Sequence, residues 1–264
     1  MTTSQDNADQ VIVERRGNVQ LIRINRPESR NALNGAVIAG IGAGVLEAEG
    51  DPQLRAIVLI GTGDRAFCAG MDLKEFSSGG TGAGLGSSEA GEAYQRLSRG
   101  QVSVPVVGAA NATAVGGGLE LLLAADLIVA SSAAKFGFPE VKRGLYAAGG
   151  GTDVGTRIPL NIALELLLTG DPITAERAYQ VGLVNLIAEP EQVLDSALAL
   201  AERIAANGPL GLAASKELAR LAVTDHAEAR RRQGELQKSV FSSADAKEGA
   251  MAFIEKRSPN WQGR

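Results

Sequence analysis

Two glutamates stand where a soluble chain seldom leaves a carboxylate without a reason. The run Gly116-Gly117-Gly118-Leu119-Glu120-Leu121-Leu122-Leu123-Ala124-Ala125 puts one inside an almost wholly apolar segment. A second follows another apolar stretch, at Phe136-Gly137-Phe138-Pro139-Glu140. If the triple glycine opens a helix, Glu120 lies one turn in, and its neighbours at three and four positions are Gly116, Gly117, Leu123 and Ala124. None is a polar partner, so Glu120 must find solvent, a hydrogen bond or a ligand. Desolvation raises a carboxyl pKa, which suits proton transfer. Unpaired N–H groups at a helix start hold negative charge, and glycines let a ligand oxygen approach them. The loop Ala69-Gly70-Met71-Asp72 offers a second such donor, and two convergent N–H groups make an oxyanion hole. Taken alone, Glu140 reads as a turn carboxylate after proline.

Other chemistries find little support. The single cysteine, Cys68, excludes an intrachain disulfide framework and thiolate metal clusters. With one histidine, His226, in a polar helical stretch, neither a multi-histidine metal site nor a Ser-His-Asp triad is expected. Cys68 reads as a small buried thiol. Gly61-Thr62-Gly63 follows a strand, but Ala66 occupies the third glycine position of a dinucleotide fingerprint, and no P-loop spacing occurs. Arg230-Arg231-Arg232 reads as a solvated helix face. A net charge of −4 gives no case for nucleic acid or an acidic membrane surface. Met1 to Gln10 is polar and no apolar run reaches ~20 residues, so neither a signal peptide nor a membrane span is expected, and a cytoplasmic location follows.

The elements that must position these groups alternate. The 264 residues, 45% apolar with 33 glycines, suffice for one large domain or one domain with an appendage. Strands are expected at Val11–Glu14, Val19–Ile24, Leu54–Ile60, Val104–Ala110 and Leu127–Ala130. Asn34 caps a helix running through Glu49, and Glu92–Arg99 reads as another. The Gly- and Ser-rich stretch from Ser77 to Gly91 reads as mobile, and Gly79 to Gly86 within it as a flexible loop or a lid. Near Asn161 the composition turns helical: Asn161–Leu168, Thr174–Val181, Glu191–Asn207, Leu210–Val223, Asp225–Lys238 and Ala244–Lys256, interrupted by a strand at Leu183–Ile187. The fold class is α/β, with loops carrying the chemistry where strands give way to helices.

In this order and spacing the motifs resemble the crotonase family, the enoyl-CoA hydratase/isomerase superfamily, from about Val11 to Gln262. The resemblance rests on Asn25-Arg26-Pro27, Arg30-Asn31-Ala32-Leu33, the run from Ala66 to Lys74, Gly116–Glu120, Phe136–Glu140 and Gly149-Gly150-Gly151-Thr152. Leu168-Thr169-Gly170, Ala178–Asn185 and Phe253–Arg257 continue it. It implies a core of repeated ββα units over residues 11–200, after a polar tail at 1–10, and a C-terminal helical trimerisation region over 201–264. It also implies homotrimers, often stacked as homohexamers, acting on acyl-CoA thioesters, with coenzyme A as part of the substrate and no further cofactor or metal. By position, the oxyanion hole is the N–H groups of Met71 and Gly117, and the catalytic pair is Glu120 and Glu140. Substrate contacts fall on Arg30, Ala32, Ala69, Gly70, Asp72, Leu73, Lys74 and Gly116, with Phe253 and Lys256 reaching a neighbouring subunit's CoA site. The expected activity is hydration of a 2-enoyl-CoA. Alternatives are double-bond isomerisation, another acyl-CoA lyase or hydrolase reaction on this fold, and acyl-CoA binding without turnover. Two departures bear on the acyl pocket: Ala147-Ala148 replaces a frequent Pro-Gly, and Tyr146 is bulky for a short-chain hydratase.

Overall fold

A computed structural model of the chain describes residues 10–72, 75 and 88–264. Two strands, β1 (Val11–Arg16) and β2 (Val19–Ile24), form an antiparallel pair, and β2 continues into a parallel sheet with β3 (Ala56–Gly61), β4 (Val106–Ala110), β6 (Leu127–Ser131) and β9 (Leu186–Ala188). The strand order is β1-β2-β3-β4-β6-β9. Every residue of β3 and β4 is buried, as continuous apolar strands covered on both faces must be.

One face of the sheet carries helix α6 (Val193–Ala205). Its buried residues Val193, Ala197, Ala201 and Ala205 recur every fourth position and pack on Leu21, Val58, Val107 and Val129. The opposite face carries α1 (Gly35–Gly50), α2 (Glu89–Ser98) and α3 (Gly117–Ala124) over the larger core. Asn34 caps α1 by accepting from Val37 N–H, and Ser88 caps α2 by accepting from Gly91 N–H. Helix α2 therefore starts at Glu89, three residues before the expected Glu92, and Ser88–Gly91 is ordered by that cap. The rest of the Gly- and Ser-rich stretch, including Gly79–Gly86, lies outside the described residues.

Beside the main sheet sits a second one that sequence periodicity misses. It joins β5 (Ala114–Val115), β7 (Lys135–Gly137) and β8 (Ile173–Thr174), strands of two or three residues that are too short to show alternation. It pairs the segment before Glu120 with the segment before Glu140. The last main-sheet strand also shifts. The expected strand at Leu183–Ile187 begins only at Leu186, because Leu183 and Val184 are buried by a turn after α5 (Ala175–Gln180), where both N–H groups bond Ala178 C=O.

Repeated ββα units build this core, as in β1-β2-α1 and β4-β5-α3, and helices follow. These are α4 (Leu160–Thr169) and then, after α5 and α6, α7 (Pro209–Thr224), α8 (His226–Phe241) and α9 (Ala244–Glu255). The expected division between residues 200 and 201 falls inside α6, whose buried face continues to Ala205, so this whole helix packs with the sheet. Among the described residues, no helix is long and apolar enough to cross a membrane.

Backbone proximity fixes the α1–α2 crossing: a Cβ at Gly42 would overlap the Ala90 carbonyl. Gly42→Ala should therefore lower the unfolding free energy by about 1–3 kcal/mol despite alanine's better helix propensity. Urea denaturation of the variant and the parent measures this, and equal midpoints would refute the contact.

Candidate active site

The chemistry of the site starts at two glycine bends. Gly70 has φ +91° and Gly116 φ +56°, backbone conformations that L side chains rarely adopt. Gly116 is the N-cap of α3, and Gly117 is its first helical residue. The bends approach closely: a Cβ on Gly117 would stand 3.5 Å from the Met71 nitrogen, and one on Gly70 would stand 3.2 Å from the Gly117 nitrogen. Neither the Met71 N–H nor the Gly117 N–H has an acceptor among the described residues. Two adjacent main-chain donors are thus left for a ligand.

Pairing of neighbouring segments holds the first bend. Ala69 N–H donates to Arg30 C=O at 3.1 Å, Leu33 N–H to Gly70 C=O at 2.8 Å, and Asp72 N–H to Leu33 C=O at 2.8 Å. The Arg26 guanidinium bonds Ala32 C=O at 2.7 Å and the Asp72 carboxylate at 3.0 Å. Asn31, fully buried with φ +54°, accepts from Arg26 N–H and donates to Thr62 C=O and Ala66 C=O. One amide side chain therefore ties its own loop to the loop after β3. The second bend is held by Gly116 N–H donating to Gly137 C=O at 3.0 Å.

Glu140 lies beside the second bend, and Glu120 sits one turn into the helix that this bend opens. One Glu120 oxygen, Oε1, accepts from Gly149 N–H at 2.8 Å and Gly151 N–H at 3.0 Å. Burial raises the Glu120 pKa, the two amides oppose that, and the nearby Glu140 charge adds to it. Glu140 sits in a 3-10 turn, Pro139–Arg143, with Oε1 3.0 Å from where a Gly116 Cβ would stand. Its Oε2 is buried with no hydrogen-bond partner among the described residues. Burial raises this carboxyl as well, against its own N–H and the Arg143 charge. Burial pushes the Cys68 thiol up to about 12, which leaves it inert as a nucleophile.

The structure gathers Ala32, Ala69, Gly70, Met71, Gly116, Gly117, Glu120 and Glu140. Arg30 is exposed beside them, and the Asp72 carboxylate is engaged by Arg26. Leu73 and Lys74 lie outside the described residues. Phe253 and Lys256 sit at the end of α9, with Phe253 87% exposed, and neither lines the groove that reaches Glu120. That groove, about 980 Å³, runs from Glu120 and Gly150 past Ser98 and Leu123 beneath α7.

Sequence reasoning missed the clamp on Glu120. The Gly149-Gly150-Gly151 run was a signal for close backbone approach, but nothing linked it to a residue 29 positions earlier. The anchors at the far end of α3 were missed too. Its last carbonyls, Leu123, Ala124 and Ala125, accept from the guanidinium groups of Arg157 and Arg220. Arg220 and Lys216 also pair with Asp126.

Comparison with known proteins agrees with this architecture. A sequence model of the enoyl-CoA hydratase/isomerase family matches residues 14–264. The enoyl-CoA hydratase EchA19 of Mycobacterium tuberculosis is 37% identical over 268 residues, covering 100% of both chains. The carnitinyl-CoA dehydratase of Proteus mirabilis is 36% identical over 263 residues, covering 94% of this chain and 97% of that one. A crystal structure of an enoyl-CoA hydratase from Mycobacterium tuberculosis superposes with a TM-score of 0.89 at 44% identity, covering 97% of this chain and 99% of the other. The chain belongs to the enoyl-CoA hydratase/isomerase family, the crotonases.

Proposed function

We propose that this protein adds water reversibly across the 2,3 double bond of 2-enoyl-CoA thioesters. One observation carries the reading: two main-chain donors without acceptors among the described residues sit on closely approaching bends, near two carboxyls whose pKa values are raised. The thioester oxygen accepts from the Met71 and Gly117 N–H groups. These donors meet the negative charge that develops on that oxygen as the enolate-like transition state forms. Glu120, fixed through one oxygen by Gly149 and Gly151, orients a water at C3 and takes its proton. Glu140 delivers the proton to C2. Hydroxide and proton together complete the addition, and the reverse sequence dehydrates a 3-hydroxyacyl-CoA.

A second reading draws on the dehydratase relative: the working direction is dehydration of a 3-hydroxyacyl-CoA bearing another substituent. Isomerisation can work with one carboxylate, so the presence of both favours water addition or loss. Coenzyme A serves as the substrate handle. Arg30, Ala32 and Ala69 are the contacts proposed for it, with Leu73 and Lys74 beyond the described residues. Exposed Phe241, Met251, Phe253 and Ile254 on α8 and α9 support assembly into a homotrimer or homohexamer. In that assembly Phe253 and Lys256 serve a neighbour's site.

Four outcomes follow. Glu120→Gln and Glu140→Gln should each lower kcat for crotonyl-CoA hydration by about 10²–10⁴ without unfolding the protein. Near-normal turnover by either variant removes that residue from the mechanism. Gly117→Pro deletes a donor at the first helical position, where proline is tolerated, and should cost about 10²–10³ in kcat. A folded variant with retained turnover would refute that donor. The third outcome concerns stability. A carboxyl whose folded pKa is raised stabilises the fold below its unfolded pKa, and that contribution is lost as pH rises through the folded value. The Tm advantage of Glu120→Gln over the parent should therefore widen from about pH 4 to about pH 8. A gap that narrows over that range contradicts burial as the dominant cause. Light scattering tests the assembly, and a monomer at micromolar concentration would exclude it.

A further inference from the structure

The groove that reaches Glu120 has apolar walls that include Val102, Leu123 and Leu212, and at the end of α3 it meets Arg157, Lys216, Arg220 and Asp126. Three cations there share one carboxylate: Lys216 and Arg220 both pair with Asp126, at 2.7 and 2.9 Å. Arg157 has no ion pair among the described residues. Only its Nη1 is bonded there, to the Leu123 and Ala125 carbonyls at 2.8 and 3.2 Å, so Nε and Nη2 are left over. The helix end at those carbonyls carries about half a negative charge, so with Asp126 it offsets only about half of the three cations. Of the other acids lining the groove, Glu217 is engaged by Arg232, and Asp153 is exposed beside Gly150. Arg220 already bonds the Ala124 and Ala125 carbonyls, so closing α3 does not account for a second guanidinium with an open edge. A half-buried charge without a partner is costly unless water or a ligand meets it.

We infer that Arg157 is the anion-binding end of an acyl channel, and that the enzyme takes 2-enoyl-CoA thioesters whose chain ends in a carboxylate. This rests on the hydratase reading: with C3 at Glu120, the chain attached to C3 is what the groove receives. The Nε and Nη2 edge of a guanidinium presents two parallel donors that match a carboxylate. Glu120 and Leu123 are three residues and so about 4.5 Å apart along α3. The guanidinium sits 2.8 Å from the Leu123 carbonyl, so the carboxylate belongs several carbons beyond C3. The apolar walls suit the methylenes between, and a groove of about 980 Å³ has room for them. Burial and then the Arg220 charge lower the Arg157 pKa, with Asp126 opposing them, which agrees with a local excess of positive charge.

The test compares oct-2-enoyl-CoA and dec-2-enoyl-CoA with the same thioesters carrying a terminal carboxylate, on the parent enzyme and on Arg157→Gln. Removing the guanidinium also frees two α3 carbonyls, a cost that falls on every substrate. At least one carboxylated thioester should lose about tenfold more in kcat/KM than the plain one of equal length, mostly through KM. An equal loss on both kinds, or a larger one on the plain chains, overturns the assignment. So does a parent that hydrates the plain thioesters and neither carboxylated one. If Arg157→Gln does not fold, the parent decides: kcat/KM for a carboxylated thioester at or above its plain counterpart supports the site, and lower values at both lengths overturn it. A folded parent that hydrates none of the four refutes the hydratase reading itself. A parent that hydrates the plain thioesters, with a variant that does not discriminate, refutes only the anion site.

Discussion

The site depends on keeping two peptide N–H groups unsatisfied in a place where a folded chain would normally pair them. Buried backbone donors nearly always find acceptors, because leaving one unpaired costs free energy. Here the chain prevents pairing by geometry. Gly70 and Gly116 take positive φ, and the two bends lie so close that a Cβ added at either would touch the other's backbone. No side chain stands between them. Everything around them restrains that approach: the short second sheet, the Leu33–Gly70 and Asp72–Leu33 backbone bonds, and the buried Asn31 amide. If any of these restraints relaxed, the donors could turn toward water or a carbonyl, and the convergent arrangement would be lost.

The carboxyls extend the same logic to side chains. Glu120 satisfies one oxygen with two amides, while Glu140 leaves a buried oxygen without a partner among the described residues. Both are held in surroundings that disfavour their charged forms. A chain selected for stability alone would replace them. Two carboxyls placed in an apolar region fit the trade between stability and activity that runs through enzyme sites.

Much of this was legible in the sequence because the conflict was local. Glu120 drew attention through its apolar neighbours, and the glycines before it signalled a backbone that something must approach. The α/β layering was legible from buried apolar stretches such as Leu54–Ile60, observed as the strand Ala56–Gly61. What the sequence hid were contacts between residues far apart in the chain. Gly149 and Gly151 reach back to Glu120, Arg26 reaches forward to Asp72, and strands such as β5 and β8 have two residues each. Such strands exist because a partner is presented to them, not because of their own alternation.

Helix α3 is gripped at its far end as firmly as at its near one. The carbonyls that close it are bonded by Arg157 and by Arg220 of α7, a residue 96 positions after Ala124. Lys216, one turn earlier on α7, reinforces the hold through Asp126. The helical tail therefore helps to hold α3 in place. Separating the chain before α7 would strip the end of α3 of the Arg220 bonds and the neighbouring Asp126 of its Lys216 pair, so the helix and the tail that holds it form one mechanical unit.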